Sequence, residues 1–119
     1  MDKMIAAALE LKGEKFVSHE LSGGTIDDAR NLMDLLTKKK KIAAAILAVP
    51  GEKPALLIGV RDDLPSGLKA NDLAKEVSAA CGGRGGGRDT MAQCGMADAS
   101  KIPLGLEAFE KAIRTKLGA

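Results

Sequence analysis

Hydrophobic positions along the chain follow two different spacings, which predicts a fold built from both strands and helices. Two uninterrupted apolar runs, Ile42 to Val49 and Ala55 to Val60, flank a segment rich in proline and glycine at 50–54. This arrangement predicts a strand, a turn and a second strand. Lys15 to Leu21 has the composition of an earlier strand, and Met91 to Cys94 is expected to form a short later one.

Apolar residues at helical spacing predict helices in three other segments. The first helix is expected to begin at Thr25, whose side chain can form a capping box with Asp28, and to end near residue 37 or 38. The second should start near residue 70 and stop at Gly82, because glycine tolerates the left-handed conformation that ends helices. The third is expected from residue 98 or 101 to 116, with Pro103 in its first turn. The apolar positions that carry the first two patterns are Ile26, Ala29, Leu32, Met33 and Leu36, then Leu73, Val77 and Ala80.

The resulting element order is β-α-β-β-α-β-α, which predicts an α+β fold, an α/β sandwich with helices packed on a mixed β-sheet. A chain of 119 residues has room for one domain with a modest core. Met4 to Leu11 has helical composition and stops at Gly13. We therefore expect residues 1–12 to be the end of a longer linker helix and residues 13–119 to be the domain.

Composition and net charge exclude several classes of function. Apolar residues make up 45% of the chain and the net charge is only +2, so binding to a polyanion requires a local basic patch. The sequence has no apolar run near the roughly 20 residues of a membrane span and no signal peptide pattern. The two cysteines fit neither a disulfide framework nor a zinc motif. These features predict a cytoplasmic protein with no membrane contact.

The most distinctive segment runs from Gly82 to Arg88, where five of seven residues are glycine and two are arginine. Glycine lets a partner approach the backbone closely, and exposed N–H groups together with arginines suit phosphates. We therefore expect a loop that contacts a ligand. The alternative is a structural connection between a helix and a strand, which requires only one or two glycines. A dinucleotide fingerprint does not fit, because it needs the helix after the glycines, and the Lys-Ser/Thr ending of a P-loop is missing.

This segment, followed by Met91-Ala92-Gln93 and Gly95, resembles the C-terminal domain of alanyl-tRNA synthetases. That domain belongs to the DHHA1 group, which also occurs in DHH phosphoesterases. The similarity extends from about residue 13 to 113 and includes the family's first helix (28–34) and the entry to its second (68–73). The chain departs from the bacterial pattern at Asp89-Thr90, where Pro-Asp is common, and at 94–96, where Ala-Gly-Gly is common. Arg88 after the glycines, where phosphoesterases more often carry histidine, favours the synthetase branch.

The resemblance implies a non-catalytic domain that contacts the tRNA elbow and links aminoacylation to editing. Its implied partners are alanine-accepting tRNA, the remaining synthetase domains and a second copy in a homodimer. It implies no cofactor in this chain, because the ATP, zinc and magnesium sites of the parent enzyme, an alanine–tRNA ligase, lie upstream. The implied nucleic-acid-binding residues are Gly83, Arg84, Gly85, Gly86, Gly87, Arg88 and Gln93.

Other residues leave alternatives open. The lysine run at a helix end is either a solvated complement to the helix dipole or an auxiliary phosphate patch; it comprises Lys38, Lys39, Lys40 and Lys41. No constellation predicts catalysis or a metal site, since His19 has no second histidine and the aspartate pairs suit caps and turns. Two other functions remain: a substrate-phosphate-binding DHHA1 domain of a DHH phosphoesterase, and a dimerisation or DNA-binding module.

Overall fold

The computed structural model describes residues 9–11, 14–21, 25–39, 42–50, 54–61, 69–82, 84–88, 90–95 and 99–117, and in these ranges it contains six strands and three α-helices. In chain order the elements are β1 (Leu9–Leu11), β2 (Glu14–Glu20), α1 (Ile26–Asp34) with a π-helical turn (Leu35–Lys39), β3 (Ala44–Val49), β4 (Ala55–Val60), α2 (Ala70–Cys81), β5 (Arg84–Gly87), β6 (Met91–Gly95), a 3-10 turn (Ala99–Lys101) and α3 (Ile102–Leu117).

The strands form one sheet in the order β1-β2-β3-β4-β6-β5. Strands β2 and β3 are parallel, with α1 as the crossover between them, and every other neighbouring pair is antiparallel. The sheet is therefore mixed, and the predicted α+β fold with helices packed on a mixed sheet is confirmed. Strand β5 is one edge of the sheet and β1 is the other.

Helices cover the two faces of the sheet unequally. Helices α2 and α3 pack on one face, around a core that includes Phe109 and Ile113. Helix α1 packs on the other face through Ala29 and Met33. Because β3 and β4 lie between these layers, every residue in both strands is buried. Burial on both faces explains why the two strands read as continuous apolar runs in the sequence.

Two predicted helix ends are confirmed. The Asp28 N–H donates to Thr25 Oγ1 at 3.2 Å, and the Thr25 N–H donates to Asp28 Oδ2 at 3.0 Å, which completes the capping box. Gly82 ends α2 in the left-handed conformation, with φ of 70°, and its N–H donates to the Ser78 carbonyl. Pro103 is the second residue of α3 and so lies in the first turn.

The sequence did not predict the two edge strands. Leu9–Leu11 pairs with β2 as an antiparallel strand, so these three residues do not end a helix. The weak helix preference of so short a segment is overridden by hydrogen bonds to a neighbouring strand. Residues 1–8 and 12–13 lie outside the described residues, and the division of the chain at residue 12 stays a prediction. Arg84–Gly87 is strand β5 where a loop was expected, because its backbone pairs with β6. Within the described ranges, no helix is both long and apolar enough to cross a membrane.

Candidate functional site

The glycine-rich segment forms the edge strand β5, and its register with β6 gives its residues two different environments. Gly85 lies opposite Cys94, and Gly86 lies opposite Gln93. Successive residues of a strand face opposite sides of the sheet. Gly85 therefore faces helix α2, whereas Gly86 faces the side of the sheet on which α1 packs.

Gly85 and Gly87 are explained by packing within the protein. A Cβ on Gly85 would lie 2.6 Å from Cys94 Sγ and 2.7 Å from Ser78 Oγ. A Cβ on Gly87 would lie 2.6 Å from the Met91 carbonyl oxygen. Only glycine lets β5 approach α2 and β6 this closely. These two glycines therefore require no ligand to account for them.

Gly86 is different, because no described atom packs against the side of the strand on which its Cβ would lie. A Cβ on Gly86 would meet no atom of the described residues within 4 Å, and the same is true of Gly95 on β6. Gln93, whose side chain is exposed, is directly opposite Gly86 and lies two residues before Gly95 on β6. Helix α1 packs mainly on β3 and β4, and within the described residues it does not extend over Gly86 and Gly95. We call the surface formed by Gly86, Gln93 and Gly95 the open face.

Arg30 of α1 borders the open face. Its Nη2 donates a hydrogen bond to Gln93 Oε1 at 3.3 Å, and both residues are exposed. Arg30 follows the buried Ala29, which places it at the edge of the apolar stripe of the helix. Sequence reasoning missed Arg30 as a site residue because it lies 63 residues from Gln93. The one signal in the sequence was the position of Arg30 at the border of the apolar stripe of the helix.

The other predicted site residues lie at both ends of β5. Arg88 is exposed, and its backbone N–H donates to the Met91 carbonyl at 2.8 Å. The backbone of Arg84 pairs with Gly95 at the opposite end of the strand. Gly83 lies outside the described residues. The structure thus places Gly86, Arg88 and Gln93 on exposed surface at the β5 edge.

The lysine run is only partly described. Lys38 and Lys39 are exposed in the π-helical turn, and Lys40 and Lys41 lie outside the described residues. Lys38 Nζ is 3.9 Å from Asp34 Oδ1, with 77% and 54% of the two side chains exposed, so this ion pair adds little stability.

The lysines and Arg88 lie at the same end of the sheet. The π-helical turn leads into Ala44 at the start of β3, and Ala44 is opposite Val60. The preceding residue of β4, Gly59, is opposite Met91, which accepts the hydrogen bond from Arg88. This end of the sheet therefore carries positive charge from both α1 and β5.

Among the described residues, metal-ligating side chains do not cluster, and the cysteine with a described side chain is buried. No group of three or more histidine, cysteine, aspartate or glutamate residues in the described ranges is placed to hold a metal ion. The thiol of Cys94 is buried and donates to the Ala74 carbonyl at 3.4 Å. It is therefore a core residue.

Comparison with known proteins decides the family. The model of the DHHA1 domain matches residues 13–115. The chain belongs to the DHHA1 family. Among curated relatives, the alanine–tRNA ligase of Janthinobacterium sp. (strain Marseille) is 40% identical over 107 residues, covering 89% of this chain and 12% of the relative. The alanine–tRNA ligase of Chromohalobacter salexigens is 37% identical over 116 residues, covering 97% of this chain and 13% of the relative.

This DHHA1 chain also has a solved structural relative. The C-Ala domain of Aquifex aeolicus alanyl-tRNA synthetase superposes with a TM-score of 0.76 at 26% identity, covering 94% of this chain and 98% of that one. The resemblance to the C-terminal domain of alanyl-tRNA synthetases is therefore confirmed. The chain spans about one eighth of the length of the curated relatives it matches.

Proposed function

We propose that this DHHA1 domain is the non-catalytic tRNA-binding domain of an alanyl-tRNA synthetase and that it contacts the elbow of folded tRNA through the open face. The open space above Gly86 and Gly95 carries the proposal, because it gives a large rigid ligand direct access to the backbone of an edge strand. Arg30 beside this surface and Arg88 at its end supply donors for phosphate groups.

The aromatic content of the chain supports a folded RNA over a single strand. Proteins that bind single strands stack bases on exposed aromatic side chains. The chain contains no tryptophan or tyrosine, and its two phenylalanines, Phe16 and Phe109, are buried. A tRNA elbow presents phosphates, ribose hydroxyls and a compact tertiary surface, which suit a flat glycine surface flanked by arginines. Recognition of this kind reads shape and does not depend on sequence.

The remaining roles follow from the relatives with which the chain shares its fold. In this proposal the domain holds the tRNA while other domains of a cytoplasmic synthetase charge it with alanine and edit mischarged products. ATP, magnesium and zinc belong to those domains. A homodimer formed through this domain would present two open faces.

Binding of the chain to three RNAs across a salt series tests the proposal. The RNAs are a tRNA with alanine identity, a folded tRNA of another identity, and an acceptor-stem minihelix that lacks the elbow. We expect both tRNAs to bind and the minihelix not to. With about two to four phosphates contacted, the logarithm of the association constant should fall with the logarithm of salt concentration with a slope of about −1.5 to −3.5.

Equal binding to all three RNAs, or binding to none, would refute elbow recognition. Tight binding of a dinucleotide without preference for tRNA would favour the phosphoesterase alternative. A mass that rises with protein concentration in the absence of any RNA affinity would favour the dimerisation module.

A further inference from the structure

We infer that Arg30 and Gln93 together form a phosphate-binding site on the open face, at which both side chains present hydrogen-bond donors to the ligand. The inference rests on the proposed function and names two residues through which the open face would hold the RNA backbone. The resemblance already implied Gln93 as a binding residue, and here it is given a specific role. Arg30 is identified from the structure alone.

The hydrogen bond between the two side chains determines which of their polar atoms remain available to a ligand. A guanidinium group has N–H donors and no acceptor, so only the amide oxygen of Gln93 can face Arg30 Nη2 across their 3.3 Å contact. The amide nitrogen of Gln93 is thereby turned away from Arg30 with both of its N–H groups. Arg30 keeps the further N–H groups of its own guanidinium. The pair therefore presents donors from two side chains, while the amide oxygen already accepts one hydrogen bond from Arg30.

The surroundings let a ligand reach both groups at once. Gly86 is opposite Gln93 on β5, and Gly95 follows two residues later on β6. Among the described residues, neither glycine has an atom within 4 Å of the position a Cβ would take, so none of these atoms blocks a ligand that approaches the pair over β5. A phosphate that approaches over Gly86 can accept from Gln93 and attract Arg30.

The acidic residues of α1 do not neutralise the positive charge of Arg30. Asp28 accepts the Thr25 N–H in the capping box, and Asp34 lies 3.9 Å from Lys38. Asp27, one turn before Arg30, is exposed to solvent and to its screening. A pair that presents donors and carries a net positive charge matches acceptor atoms that carry negative charge, which in RNA are the phosphate oxygens. Phosphate oxygens are the same for every base, so contacts that the pair makes to them do not read base identity.

Affinity and salt dependence of tRNA binding test this assignment with four variants. Arg30→Ala should weaken binding about ten-fold, as the loss of a charge-assisted hydrogen bond, and reduce the salt slope by about 0.7 to 0.9. Gln93→Ala should weaken binding about three-fold with the slope unchanged, because a neutral donor is lost. Gln93→Glu should weaken binding more than Gln93→Ala, because the carboxylate pairs with Arg30 and repels phosphate. Arg114→Ala is the matched control, an exposed helical arginine paired with Glu110 on α3, and should change affinity less than about two-fold.

Two results would overturn this inference on its own. One is an Arg30→Ala variant that behaves like Arg114→Ala while the unsubstituted chain binds tRNA, which leaves the proposed function standing. The other is a Gln93→Glu variant that binds as tightly as the unsubstituted chain. A chain that binds no tRNA in any form refutes the proposed function and this inference with it. Circular dichroism on each variant confirms that a loss of affinity is not a loss of fold.

Discussion

At the residue scale, the glycine-rich segment combines two unrelated requirements in adjacent positions. Gly85 allows β5 to pack against Ser78 and Cys94, whereas Gly86 faces open space. We predict that Gly85→Ala lowers the free energy of unfolding by about 1 to 3 kcal/mol, because the methyl group has no room. Gly86→Ala should change it by less than about 0.5 kcal/mol. Urea unfolding of both variants measures the difference.

The two substitutions are matched, since they add the same methyl group to neighbouring residues of one strand. Equal stability of Gly85→Ala and the unsubstituted chain would contradict the close packing of β5 on α2. A large loss for Gly86→Ala would show that the open face is covered by part of the protein itself.

The sequence could predict some of these residues and not others, for physical reasons. Thr25 and Gly82 act on their own helices, so their roles follow from local spacing alone. The different roles of Gly85 and Gly86 depend on what lies on each side of a strand. The contact between Arg30 and Gln93 joins residues that are 63 positions apart, so it emerges only once the sheet has formed.

At the element scale, the strands that the sequence missed are those whose stability comes from their neighbours. Strands β3 and β4 are buried on both faces, so their continuous apolar runs predict them from the sequence. Strand β5 contains one arginine and three glycines, a composition that disfavours strands, and it forms because its backbone pairs with β6. Strand β1 is three residues long and depends on β2 in the same way.

Helix α1 offers a prediction at this scale, since the crossover between the parallel strands begins at its capping box. Thr25→Ala removes the side-chain acceptor for the Asp28 N–H and should cost about 1 kcal/mol of unfolding free energy. Thr115→Ala is the control, because that hydroxyl bonds the Lys111 carbonyl within a helix and caps nothing. Thermal unfolding should show a clear decrease for the first variant and a near-unchanged midpoint for the second. Equal midpoints would contradict the capping role.

At the scale of the whole molecule, the arrangement of layers determines where a ligand can bind. In the described part of the chain, two helices cover one face of a six-stranded sheet, and one helix packs mainly on the middle strands of the other face. The exposed end carries glycines at its surface, with Arg30 beside it and Arg88 at the edge. A net charge of +2 over the entire chain means that this local surface, and not the overall charge, must provide affinity for RNA.

The affinity of a Gly86→Val variant for folded tRNA tests the central claim most directly. Valine suits a strand, and no atom of the described residues lies within 4 Å of a Cβ on Gly86, so the variant should fold with near-unchanged stability. Its branched side chain would stand on the open face where the RNA backbone approaches. We predict that it binds tRNA at least ten-fold more weakly than the unsubstituted chain. Unchanged tRNA affinity in a folded Gly86→Val variant would contradict binding through the open face.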